Sequence, residues 1–128
     1  MREEISLWWD QAKHDLETAD YLLEGDRLDA ASFYFQQAVE KALKAFFIHV
    51  RQESPGPIHS LTKLARDLEL PNHFRGFLRR LTGEYYLSRY PDAIGDLPFK
   101  AYDADEVREM STLSHEVLQW LEQQISKS

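Results

Sequence analysis

The chain has 128 residues, 43% of them hydrophobic and 29% charged, which suits one soluble domain with a single core and excludes a disordered chain by composition. Its formal net charge of -7 argues against a protein that coats nucleic acid without preference, since such binders neutralise phosphates with many lysines and arginines. Cysteine is absent, which removes disulfides, thiol nucleophiles, iron-sulfur clusters and thiolate zinc sites together.

The N-terminal stretch MREEISLWWDQ carries two glutamates where a signal peptide needs basic and then apolar residues, and no run of apolar residues is long enough to span a membrane. A cytoplasmic location without membrane contact is expected. From residue 3 to 24, Ile5, Trp8, Trp9, Ala12, Leu16, Ala19, Leu22 and Leu23 recur at spacings of three and four between charged residues, which predicts an amphipathic helix. Gly25 is the expected left-handed residue that ends it. A second helix is expected from Asp29, as N-cap, to Arg51, where Glu53-Ser54-Pro55-Gly56-Pro57 breaks the chain. The short connection between the two predicts antiparallel packing.

A third, shorter helix is expected from Ser60, as N-cap, to Leu68, and a fourth opens at Pro71 and carries Phe74, Phe77, Leu78, Leu81, Tyr85 and Tyr86. It must fail near Pro91, and YPDAIGDLPFKAY, with two prolines and a glycine close together, reads as an irregular loop. Asp103, in a capping box with Glu106, begins the last helix, whose stripe includes Val107, Met110, Val117, Leu121 and Ile125. The reading is one all-α domain over residues 1–128, an antiparallel up-and-down bundle of four to five helices.

The second helix asks the main question. Tyr34, Ala45, Ala38, Ala31, Ala42, Phe35, Phe46, Val39, Val50 and Leu43 fill one half of it and should face the core. On the other half Gln36, Gln37, Glu40, Lys41 and Lys44 alternate with Phe33, Phe47 and Ile48, so the face is neither apolar nor fully solvated. Polar residues four apart support a helix by themselves. Aromatics mixed among them point instead to a covered surface, and a homodimer interface through Gln36, Gln37, Glu40, Lys41 and Phe47 is expected.

Charge is unevenly spread. Residues 1–30 hold nine acids against three bases, net -6, whereas residues 71–91 hold Arg75, Arg79, Arg80 and Arg89 against Glu84 alone, net +3. Arg75, Arg79 and Arg80 can extend an anion-binding face with Arg89, or Arg75 and Arg79, four apart, read as a solvated stripe. Arg89 stands among Tyr85, Tyr86 and Tyr90, an arrangement that can hold a phosphate while tyrosines stack on a base, or can be a structural arginine paired with Glu40 or Asp15. His59 precedes a helix N-cap, where it can serve chemistry or the loop. The remaining histidines, His14, His49, His73 and His115, lack metal-ligand spacing, and the scattered glycines form no phosphate loop, so neither metal nor cofactor is expected.

Trp8, Ala12, Asp15-Leu16 and Ala19 to Leu22-Leu23, then Gly25, Ala30 and Phe33, the block Gln36-Gln37-Ala38-x-Glu40-Lys41-Ala42-x-Lys44, His59-Ser60-Leu61 and Tyr85-x-x-x-Arg89-Tyr90-Pro91-Asp92 follow one another in an order that resembles HEPN domain proteins. The resemblance spans nearly the whole chain and implies a bundle of four or five helices that is commonly dimeric. It also implies several jobs: ribonuclease toxins paired with nucleotidyltransferase antitoxins, nucleotide-associated modules, and members without activity. The ribonuclease members are expected to carry a histidine four to six residues after an arginine late in the domain. After Arg89 no histidine stands in that window, and Arg108 is followed by His115 seven residues later.

The first expectation is therefore a dimeric partner subunit of a minimal nucleotidyltransferase, in a toxin-antitoxin-like or nucleotide-handling system. The second is a metal-independent ribonuclease that uses Arg89 as cation and His59 or His115 as base. The third is a nucleotide-binding or RNA-binding module in which Lys44, Tyr85, Arg89 and Tyr90 hold the ligand.

Overall fold

A computed structural model describes residues 2–127, and among them the regular structure is entirely helical. The long helices are α1 (Glu3–Glu24), α2 (Leu28–Arg51), α4 (Arg75–Leu87) and α6 (Ala104–Ser126), joined by the shorter α3 (Leu61–Asp67) and the one-turn α5 (Pro91–Ile94). The bundle is built around α2, which packs on α1, α3, α4 and α6. Alanines make this possible: Ala12 and Ala19 of α1 and Ala31, Ala38, Ala42 and Ala45 of α2 are all fully buried, so neighbouring backbones approach closely. Phe35, Leu43, Leu64, Leu78, Leu81 and Leu121 fill the space between layers, each burial worth about 1.5–3 kcal/mol. Val50, placed on the core half by its spacing, is half exposed. Among the described residues no helix is long and apolar enough to cross a membrane.

The helix ends depart from expectation in instructive ways. Gly25 is not left-handed (φ -82), and Asp26 takes that role instead (φ 61). Asp26 N–H bonds Leu23 O at 3.0 Å and Arg27 N–H bonds Leu22 O at 2.9 Å, which is a Schellman closure shifted by one residue. Aspartate tolerates the left-handed region, so the chain needs no glycine there. Because that closure ends at Arg27, α2 starts at once at Leu28, and Asp29 lies inside its first turn, where a carboxylate favours the helix dipole, rather than at the N-cap. Ser60 does cap α3, accepting from Lys63 N–H at 3.1 Å.

A 3-10 turn, Asn72–Phe74, precedes α4, so Pro71 lies outside the helix it was expected to open. The segment read as irregular contains α5 and a second 3-10 turn, Pro98–Lys100. Proline interrupts a helix only from within; at the first helical position, where Pro91 and Pro98 stand, its fixed φ starts one. Asp103 caps α6 by accepting from Asp105 N–H at 3.3 Å, one residue earlier than a capping box with Glu106 requires.

The segment between α4 and α6 is fastened by Tyr102, whose hydroxyl donates to the Glu84 carboxylate. Burial raises the Glu84 carboxyl above the ordinary range, only partly opposed by the Tyr102 bond, with Glu106 raising it further and Arg80 lowering it. A folded-state value above the unfolded one means that the folded chain holds the proton longer. This part of the stability is therefore complete below the ordinary carboxylate range and is lost as pH rises through the raised value. Urea unfolding midpoints taken from pH 4 upward should show that decline in the wild type, and Glu84→Gln should flatten it.

Candidate functional site

Gln36, Glu40 and Lys44 recur every four residues on α2 and are buried, at 0%, 4% and 4% exposure. Charges taken out of water are tolerated only when paired and hydrogen-bonded, and these are. Lys44 Nζ donates to Glu40 Oε2 at 3.2 Å and lies 5.4 Å from the centroid of the Trp8 ring. Gln36 Nε2 donates to Glu40 Oε1 at 3.0 Å and its own Oε1 accepts from Gln37 Nε2 at 2.8 Å. Lys41 Nζ continues the row, donating to Gln37 Oε1 at 3.3 Å and to Asp15 of α1 at 2.5 Å. Asp15 also accepts from Gln11 at 3.0 Å.

The polar face is thus covered by the chain itself. Of the residues expected at an interface, Gln36, Glu40 and Phe47 are buried within one chain, and the half-buried Gln37 and Lys41 are engaged with each other and with α1. Lys44, expected to hold a ligand, has its ammonium group enclosed and held by Glu40. Phe47 stands apart, with the Arg51 guanidinium 5.3 Å from its ring centroid.

The row reaches the surface through His59. The segment between α2 and α3 brings its Nδ1 to 3.1 and 3.3 Å from the two Glu40 oxygens. A carboxylate facing Nδ1 fixes the proton there and turns Nε2 outward. The imidazole stacks on Tyr85, with centroids 4.1 Å apart and planes at 23°. Tyr85 in turn carries Arg89, which lies just past the end of α4: Arg89 Nε donates to Tyr85 O at 2.8 Å. The Arg89 guanidinium carbon lies 4.4, 4.5 and 4.9 Å from the ring centroids of Phe33, Tyr85 and Tyr90.

The acid pairing considered for Arg89 does not occur. Glu40 is taken by Lys44 and His59, and Asp15 by Lys41. Among the described residues no carboxylate forms an ion pair with Arg89, so an exposed cation with its terminal nitrogens unspent rests on three rings. His115 is elsewhere, bonded to Asp20 of α1 at 2.7 Å, and among the described residues no contact joins it to this cluster.

Arg89 borders an open groove of about 520 Å³ lined also by Asp29, Phe33, Tyr34, Leu97, Pro98 and Phe99. That volume lies within the ~300–1,000 Å³ usual for small-molecule sites. The groove has one cation, one carboxylate and several aromatic faces, the set that a phosphate, a sugar hydroxyl and a base each require. Asp29, Phe33 and Phe99 were not legible as site residues, because the first turns of α2 and the 3-10 turn Pro98–Lys100 are distant in sequence and meet only in the fold. The one hint was Phe33, an aromatic out of phase with the core stripe of α2. Among the described residues no group of three or more histidines, aspartates or glutamates converges as a metal site.

The family model described as HEPN domain matches residues 5–124. The chain is similar to TT1696 from Thermus thermophilus, a crystal structure, at 29% identity and a TM-score of 0.86 over 95% of this chain and 98% of that one. It is similar also to the crystal structure of ST0689, described as an archaeal HEPN homologue, at 30% identity and a TM-score of 0.81 over 98% and 99% of the two chains. No curated protein sequence matches.

The Glu40 network makes a stability prediction. Glu40→Ala leaves the Lys44 ammonium group buried without its acid and should cost about 3–5 kcal/mol in chemical denaturation. Removing both charges together, as Glu40→Gln with Lys44→Met, should cost much less. Equal losses for the two variants would contradict the ion-pair account.

Proposed function

The chain belongs to the HEPN domain family, and from that premise we propose that it binds a nucleotide, free or at the end of an RNA, in the groove bordered by Arg89. What carries the reading is Arg89 itself, an exposed guanidinium without an acid partner among the described residues, lying on Phe33, Tyr85 and Tyr90. Its terminal nitrogens bind the phosphate in the planar, forked manner of arginine, and the aromatic side chains lining the groove, Phe33, Tyr34 and Phe99, accept the base by stacking. Asp29 repels phosphate and accepts from ribose hydroxyls, which orients the ligand with its phosphate toward Arg89.

A second reading has a specific observation behind it. His59, turned by buried Glu40 and stacked on the same tyrosine as Arg89, supplies the imidazole that metal-independent RNA cleavage needs and that the sequence after Arg89 lacks. In this reading His59 Nε2 takes the proton of a 2′-hydroxyl and Arg89 holds the phosphate charge as it develops. A dimeric partner subunit of a minimal nucleotidyltransferase is the role favoured by the family resemblance alone, and among the described residues no cluster of side chains adds to it.

Calorimetric titration with a nucleoside monophosphate should give saturable binding that weakens with salt and falls about 10- to 100-fold in Arg89→Ala. Arg89→Lys should restore only part of it, since an ammonium group lacks the fork. Binding that is unchanged in Arg89→Ala contradicts the reading. The same preparations incubated with single-stranded RNA in the presence of a chelator distinguish simple binding from cleavage: the ribonuclease reading requires products that disappear in both Arg89→Ala and His59→Ala.

A further inference from the structure

A second concave site lies between α3 and α4, away from the Arg89 groove. Thr62 and Arg66 are four apart on α3, and Arg75 and Arg79 are four apart on α4, so each pair occupies one helix face. The two faces meet across a cavity of about 190 Å³ lined by these four residues, with the buried Ala65 and Leu78 as its floor. Three arginines from two helices therefore line one cavity in a chain of net charge -7.

A solvated stripe accounts for arginines along one helix, but not for a third one brought opposite them by another helix. Two acids beside these helices are engaged elsewhere: Asp67 pairs with Lys63 at 3.2 Å, and Glu109 pairs with Arg80 at 3.5 Å. Among the described residues no ion pair or side-chain hydrogen bond engages Arg66, Arg75 or Arg79. Like charges brought together without a counter-charge repel, and an anion bound between them removes that penalty.

We propose that this α3–α4 cavity binds a compact, multiply charged phosphate, either pyrophosphate or the phosphate end of a nucleotide. Charge favours a multiply ionised group over a singly charged phosphodiester. Size favours the same choice, because a cavity of about 190 Å³ is smaller than the ~300–1,000 Å³ usual for small-molecule sites. Arg66, Arg75 and Arg79 supply forked donors and the Thr62 hydroxyl one more. The site does not depend on the ligand proposed for Arg89.

Calorimetry at constant ionic strength with inorganic pyrophosphate, and separately with a nucleoside triphosphate, tests this on the wild type, Arg75→Gln/Arg79→Gln and Arg89→Ala. The altered arginines are exposed, so the variants should fold. Pyrophosphate should bind the wild type and Arg89→Ala alike and bind the double variant at least about tenfold more weakly. An equal loss for the triphosphate identifies the phosphate group itself as what is recognised; a loss for the triphosphate alone identifies a nucleotide as its source. The proposal is overturned if neither ligand's binding depends on Arg75 and Arg79, or if Arg89→Ala abolishes both. Failure of the Arg89 groove to bind a monophosphate leaves the pyrophosphate result standing, so the two sites are judged separately.

Discussion

One buried ion pair organises this molecule. Glu40 and Lys44 lie on the central helix at 4% exposure each, and neither charge is tolerable there without the other. Their remaining polar atoms need partners too, and the search for partners extends the pair into a network: Gln36 beneath Glu40, Trp8 beside Lys44, and His59 at the outer edge. Apolar side chains of the same volume would stabilise the core as well or better. What the polar row adds is position. It ties α1 to α2 through Asp15 and Lys41, and it fixes an imidazole on a segment that has no regular structure of its own.

From His59 the order passes outward by stacking rather than by charge. Tyr85 lies against the imidazole, Arg89 lies against Tyr85, and Phe33 returns the contact to α2. The exposed cation is therefore held by a chain of contacts rooted in the core, although it sits past the end of a helix. A guanidinium held in place by rings and by one backbone carbonyl loses little freedom when it binds an anion, which is the condition for useful affinity from a single charged contact.

The sequence and the fold agree where periodicity is the governing physics. The apolar spacing of α1, α2 and α6 sets their extents to within a residue or so, and Ser60 caps α3 as its position suggests. Agreement ends where a choice depends on the third dimension. Whether Gly25 or Asp26 turns left-handed depends on which carbonyl the next amide reaches, and both residues can do it. Whether Gln36, Glu40 and Lys44 face a partner or their own core depends on what covers them, because a mixed polar and aromatic helix face has the same pattern in either case. The groove is the extreme example: Asp29, Phe33, Arg89 and Phe99 share no motif, and only the packing of α4 and the following turns against the start of α2 brings them together. The arginines of α4 looked like a stripe because Arg66 belongs to another helix.

Family membership fixes the architecture and leaves the chemistry to the site, and the site rests on the junction of Phe33, Tyr85, Arg89 and Tyr90. Ring-proton and Arg89 side-chain signals followed by nuclear magnetic resonance during titration with a nucleoside monophosphate test it most directly. The account predicts that the signals of Phe33, Tyr85, Tyr90 and Arg89 shift together and saturate at one ligand concentration, while those of buried Lys44 stay in place. Saturable binding that leaves these rings and Arg89 unmoved would contradict it.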